Sequence, residues 1–352
     1  MVYLIQDANF LINIFSEKLA SEMTYAGVPT QFISVGSKSC ENLCRKVLPA
    51  KRLYNAIYPY LNMQITKRQI RKKIKPGDVF IIYESANTIS QFSDCSVHKL
   101  IRRLGGKVVS VVPDAWHLSF PFLQKGIEAR ASNSDLLAAV TPTLAEAFRE
   151  RYPDKNVVLM EESIDYDAFS FQEQSSEYTP IVLWSGPPVK LDEVELLDKV
   201  LQKVGDEYKF KLRIVTGKDK PNLTLKTDWE WIPFVGTSYK EQFFGASIGF
   251  AFYEKRAYSE FKGNYKIKTY LAAGCAIITN STAYNRVLLD SGSNGVLVNS
   301  EEELVQAFRS LLVNSIEREQ KRKNARNFIF ENYSIKATSQ KYIKTLKQFN
   351  LI

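Results

Sequence analysis

Short apolar runs alternate with longer stretches in which apolar residues recur every three or four positions, and the alternation repeats along most of the chain. Runs of this length are buried strands and the longer periodic stretches are helices. In the first half the strands are predicted at Val2–Ile5, Gln31–Val35, Val79–Tyr83, Val108–Val112, Leu136–Val140 and Val157–Met160. Helices are predicted over Phe15–Ala26, Ser96–Leu104 and from Thr141, with Thr as cap and Pro142 in the first turn. Strands separated by helices imply a parallel sheet covered on both faces.

Residues 170–179 are polar and aperiodic, as expected of a linker. The pattern then restarts with Ile181–Trp184, a helix over Asp192–Val204, and strands at Lys211–Val215 and Ile248–Phe252. Further strands follow at Ala276–Ile278 and Gly295–Val298, and a helix begins at Glu301. The 352 residues fit two ordinary domains better than one core. The expectation is an α/β chain of two doubly wound, Rossmann-like domains.

Hydrophobic content of 45% and charged content of 24% match a globular protein in water. No apolar run approaches the roughly 20 residues of a membrane span, and Met1–Asp7 reads as a strand instead of a signal peptide. Four cysteines and two histidines give neither a disulfide framework nor a zinc site, although Cys40 and Cys44 are four apart. A cytoplasmic location follows as the expectation.

The formal charge of +9 changes this picture, because ten basic residues and no acidic one lie between Arg45 and Lys75. Lys67, Arg68, Arg71, Lys72 and Lys75 fall at the spacing of a helix face, with Tyr54, Tyr58 and Tyr60 just before them. Such a segment suits an anionic membrane surface. Nucleic acid would use the same charge, but no nucleic-acid motif accompanies it, so none is expected as a partner. A solvated face without a partner is the third reading.

The most informative stretch is Asn264–Asn280, a short helix, a glycine stop at Gly274 and a buried strand. Lys255, Arg256, Lys262, Lys266 and Lys268 gather at the helix entrance. A helix N-terminus favours anions, and lysines there strengthen the preference, so the place suits a diphosphate.

The pattern Lys266-x-x-Thr-Tyr-Leu-Ala-Ala-Gly-Cys-Ala-Ile-Ile278, with Ser291–Val298 and the acidic helix start Glu301–Leu304, resembles the donor-binding half of GT-B glycosyltransferases. It is most similar to family 4, a retaining group with a K-x-x-E-Y-M-A-x-G-x-P-V signature. The resemblance implies two doubly wound domains with an interdomain cleft: an acceptor-binding domain over 1–172, a nucleotide-sugar-binding domain over 173–332, and a final helix over 333–352 crossing back to the first. It implies a nucleotide diphosphate sugar as donor, a glycan or lipid-linked acceptor, and no metal or other cofactor.

The same resemblance places the diphosphate against Gly186, Lys190 and Lys266, with Lys262 as added charge. Pro187 stands where the family has an arginine, and Thr269 where it has a glutamate facing the ribose. The earlier partner glutamate falls on Phe261, one position from Glu260. Asp114 and His117, after an interior strand, are the candidates to orient the sugar or accept a proton. His98, beside Lys99, reads as a surface residue. Asp165-Tyr-Asp167 spells the D-x-D of another glycosyltransferase fold, but in this setting it reads as turn chemistry without a metal.

Motifs of dehydrogenases, P-loop proteins and esterases are absent from the sequence. The expected activity is transfer of a sugar to a growing bacterial surface glycan, in the cytoplasm or at the inner face of the plasma membrane. The rivals are a sugar-nucleotide epimerase on the same fold, a non-catalytic glycan- or lipid-binding protein, and a nucleic-acid-binding protein.

Overall fold

The computed structural model describes residues 1–7, 13–35, 44, 47, 51–84, 95–115, 118, 120–205, 207–234, 239–253 and 257–352. They divide into two units. The first comprises Met1–Ser163, Phe261–Gly263 and Ile335–Ile352, and the second Ile164–Glu260 and Asn264–Ser334.

The first unit holds β1 (Val2–Asp7), β2 (Thr30–Val35), β3 (Val79–Tyr83), β4 (Lys107–Val112), β5 (Leu136–Ala139) and β6 (Val157–Leu159). They form one sheet in the order β2-β1-β3-β4-β5-β6, with every pairing parallel. Its helices in chain order are α1 (Asn13–Tyr25), α2 (Lys51–Lys73), α3 (Ser96–Arg103), α4 (Gln124–Asn133) and α5 (Pro142–Arg151). All five residues of β3 are buried. The reason is that alternate side chains enter different cores. Val2, Leu4, Val79 and Ile81 pack with Leu19 and Met23 of α1. Tyr3, Ile5, Phe80 and Ile82 pack on the opposite face with Ile70, Leu100 and Ile101. Thr141 caps α5 as its sequence predicts, accepting the Leu144 amide at 3.2 Å.

The second unit repeats the plan with β7 (Ile181–Ser185), β8 (Lys211–Val215), β9 (Trp229–Ile232), β10 (Ile248–Ala251), β11 (Ala276–Asn280) and β12 (Gly295–Val298). The order is β12-β11-β10-β7-β8-β9, again all parallel. Its helices are α6 (Asp192–Gly205), α7 (Tyr239–Phe243), α8 (Tyr265–Ala272), α9 (Ala283–Leu288), α10 (Glu301–Val313) and α11 (Ser315–Asn332). Strand β9 is an edge strand with four half-buried residues, and so lacks the apolar run that marks the others. At the junction of β11 and β12, a Cβ on Gly295 would lie 2.2 Å from the Ile277 carbonyl oxygen, so only glycine fits.

The last helix, α12 (Ile335–Gln348), belongs to the first unit and packs on α1. Tyr342 and Leu346 enter the α1 core, and the Tyr342 hydroxyl lies 2.5 Å from that of Tyr83. Among the described residues no helix is long and apolar enough to cross a membrane.

Candidate donor-binding site

The order of the second sheet reverses between β7 and β10, and in open parallel sheets ligands gather beyond the carboxyl ends of strands at such a point. Strand β7 ends there in Ser185-Gly186, and β10 leads towards α8. Tyr270 ties the two together. Its hydroxyl accepts the Ser185 amide at 2.6 Å, and its ring lies over β10 so closely that a Cβ on Gly249 would stand 2.8 Å away. Burial holds its phenol well above the ordinary range, so it stays protonated.

Helix α8 stops as its sequence predicts. Gly274 takes φ +74°, and the Cys275 amide reaches back to the Tyr270 carbonyl at 3.0 Å. Cys275 is buried, and that burial pushes its thiol up to about 12.

Lys266, in the first turn of α8, stands over the glycine of the β7 loop. Its Nζ lies 3.5 Å from the position a Cβ on Gly186 would take, and that Cβ would meet the Trp184 ring at 2.8 Å. Backbone alone fits at residue 186, because the Trp184 ring fills the place of a side chain. The ammonium also lies 5.2 Å from the Trp184 ring centroid and 3.5 Å from Glu193 Oε2. The Trp184 indole N–H donates to that same Glu193 oxygen at 3.0 Å. Gly186, Trp184, Glu193 and Lys266 therefore form one cluster, partly open to solvent at Lys266.

Lys190 closes the 3₁₀ turn Pro188–Lys190 in the same loop and is half-buried. Thr269 is buried, and its hydroxyl donates to the Lys266 carbonyl at 2.7 Å, which leaves its oxygen lone pairs to accept. Glu260 accepts the Ala283 amide at 2.8 Å, at the start of α9. Asn264 enters α8 with φ +45°, its amide held by Asn285 and its Oδ1 without a partner among the described residues.

Lys262 falls in Phe261–Gly263, which belongs to the first unit; there the Phe261 carbonyl accepts from Thr141 Oγ1 at 3.1 Å. Asp114 follows β4 in the first unit, half-buried, with Oδ1 accepting the Ala115 amide at 3.0 Å. His117, Lys255 and Arg256 lie outside the described residues. Asp165 precedes a 3₁₀ turn, Tyr166–Ala168, that contains Asp167, and the Asp165 carbonyl accepts the Ala168 amide at 3.0 Å.

Residues 200–344 match a family model described as glycosyl transferase-like. The chain has a GT-B fold, and over residues 200–344 it is similar to glycosyl transferases. Among solved structures, this fold aligns with a sucrose-phosphate synthase from Thermosynechococcus elongatus at TM-score 0.67 and 12% identity, over 99% of this chain and 98% of that one. A trehalose-6-phosphate protein from E. coli bound with UDP-2-fluoro glucose aligns at TM-score 0.67 and 11% identity, over 99% of both chains. A UDP-forming α,α-trehalose-phosphate synthase from Burkholderia xenovorans aligns at TM-score 0.65 and 10% identity, again over 99% of both. No curated protein matches the sequence.

Two groupings were not foreseen from the sequence. One is Glu193 with Trp184, at the centre of the cluster above. The other is a buried set in the first unit, and it corrects the reading of His98, which is 3% exposed. His98 Nε2 lies 2.9 Å from Glu84 Oε1 and 2.9 Å from Ser110 Oγ, while Arg130 Nε lies 3.1 Å from Glu84 Oε2. Burial by itself would raise the Glu84 carboxyl. Arg130 and His98 overcome it and bring the group down to about 2.

Proposed function

We propose that the protein transfers a sugar from a nucleoside diphosphate sugar to a hydroxyl of a growing, lipid-linked bacterial surface glycan. The reaction is metal-independent, retains the anomeric configuration, and takes place at the inner face of the plasma membrane. The observation that carries this reading is Lys266 standing over Gly186 beyond the carboxyl end of β7. A fixed cation facing bare backbone is what a leaving diphosphate needs, because negative charge develops on it in the transition state.

In this reading Gly186 lets the backbone approach the diphosphate, Lys190 and Lys266 neutralise it, and Lys262 adds positive charge. Thr269 accepts a hydrogen bond from a ribose hydroxyl. Asp114 and His117 orient the transferred sugar or take the acceptor's proton. The Burkholderia neighbour is UDP-forming and the E. coli one is bound with UDP-2-fluoro glucose, which supports a nucleoside diphosphate as leaving group. A further aligned trehalose-6-phosphate synthase concerns glycosyltransfer with retention, which supports that stereochemistry.

A thermal-shift screen of UDP, GDP, ADP and their sugars tests the donor. At a hundredfold excess over Kd, the matching nucleotide is expected to raise Tm by about 5–10 °C. No shift with any of them, or an epimerised nucleotide sugar as the product in place of transfer, overturns the reading.

Glu193 gives a second prediction. Its carboxylate partners Lys266 where the diphosphate would bind, and so competes with it. Glu193→Gln keeps an oxygen for the Trp184 indole and removes the negative charge. The Kd for the nucleoside diphosphate, read by calorimetry, is expected to fall about fivefold.

A further inference from the structure

The basic segment becomes more specific once its helix is seen. Helix α2 buries Tyr58, Asn62, Met63, Thr66 and Ile70. At 100° per residue, Ile57, Tyr60, Leu61, Arg68, Arg71 and Lys72 all fall within one arc on the opposite side. Ile57, Tyr60 and Leu61 are 37%, 55% and 38% exposed, and the three cations are exposed as well. The arc is therefore apolar in its first half and cationic in its second, along about 22 Å of helix. Helix α2 contains no acidic residue, and among the described residues Arg68, Arg71 and Lys72 make no ion pair.

Topology adds a second apolar element. The chain leaves β2 at the carboxyl edge of the sheet and enters β3 at the amino edge, so the apolar half of α2 lies towards the carboxyl edge. Strand β4 ends at that same edge, and Leu118, Phe120 and Phe122 follow it, 47%, 48% and 69% exposed. The Phe120 and Phe122 rings are 5.9 Å apart.

We infer that this face of the first unit docks on an anionic lipid bilayer, with α2 lying in the interface plane. Aliphatic side chains seat in the acyl boundary while arginine and lysine meet anionic headgroups. Nucleic acid would satisfy the cations but has no use for exposed Ile57 and Leu61, since single strands are held by charge and aromatic stacking. The inference deepens the lipid-linked acceptor proposed above, yet it is read out by binding, so it stands or falls separately from sugar transfer.

The test is co-sedimentation of the full chain with vesicles of equimolar phosphatidylglycerol and phosphatidylcholine, against vesicles of phosphatidylcholine alone. Binding is expected to the anionic vesicles. Arg68→Gln/Arg71→Gln/Lys72→Gln is expected to weaken it about 100-fold and Ile57→Ser/Leu61→Ser about tenfold. All these side chains are exposed, and an unchanged Tm confirms folding of each variant. No binding of the unaltered chain to anionic vesicles at low salt overturns the inference. So does an apolar variant that binds vesicles normally, or a charge variant that loses a single-stranded RNA but not the vesicles.

Discussion

Lys266→Ala is expected to lower kcat for sugar transfer by about 10²–10³-fold at saturating donor, the size of effect that follows removal of one preorganised group facing developing charge. The donor's Kd should rise much less, because the ammonium is most valuable when the diphosphate leaves. Lys190→Ala acts in the same direction. Lys266→Arg is expected to restore charge but not rate, since a planar fork is not equivalent to a compact ammonium above Gly186. An unchanged Tm of the alanine variant checks that the fold tolerates the change, since Lys266 is about a quarter exposed. The measurement is a steady-state transfer assay beside a nucleotide thermal shift. Full activity in the alanine variant would remove Lys266 from the mechanism.

The second large effect concerns stability. Glu84→Gln leaves Arg130 buried without its counter-charge, and breaking such a pair costs about 3–5 kcal/mol. A fall in Tm of about 10 °C is expected by calorimetry. The pH dependence has a definite sign. The Glu84 carboxyl is lower in the folded protein, at about 2, than in an unfolded chain, at about 4.3. Its contribution is therefore complete above the unfolded value and is lost as pH falls towards 2. Glu84→Gln should flatten the decline of stability over that range. An unchanged acid profile would show that other carboxylates govern it.

Much of the fold was legible because strands buried on both faces leave apolar runs that little else produces. Val79–Tyr83 and Ala276–Asn280 are examples, and Gly274 marks the turn before the second of them. Helix α2 was harder to read. Its inner face uses Asn62 and Thr66 alongside Met63 and Ile70, with Thr66 donating to the Asn62 carbonyl at 2.8 Å, so no apolar stripe announces it. Strand β9 was missed for the corresponding reason, being only half-buried.

In the candidate site, Lys266 was read from the spacing of the signature and Gly186 from the loop that follows Ile181–Trp184. Glu193 was not, because its ion pair joins residues 73 positions apart, and local pattern says nothing about such partners. The same applies to Glu84 and Arg130. For His98 there was a signal: Leu100 and Ile101 lie two and three residues on, and α3 buries all three. The charged neighbour Lys99 masked it.

Helix α12 makes the first unit discontinuous in sequence, with Tyr342, Ile343 and Leu346 completing the core around α1. During synthesis the opening 160 or so residues emerge long before these three side chains, so they wait with that core unsealed. The second unit, apart from a brief excursion at Phe261–Gly263, is contiguous and can close first. The segment that completes the first core is therefore translated only after the whole of the second unit.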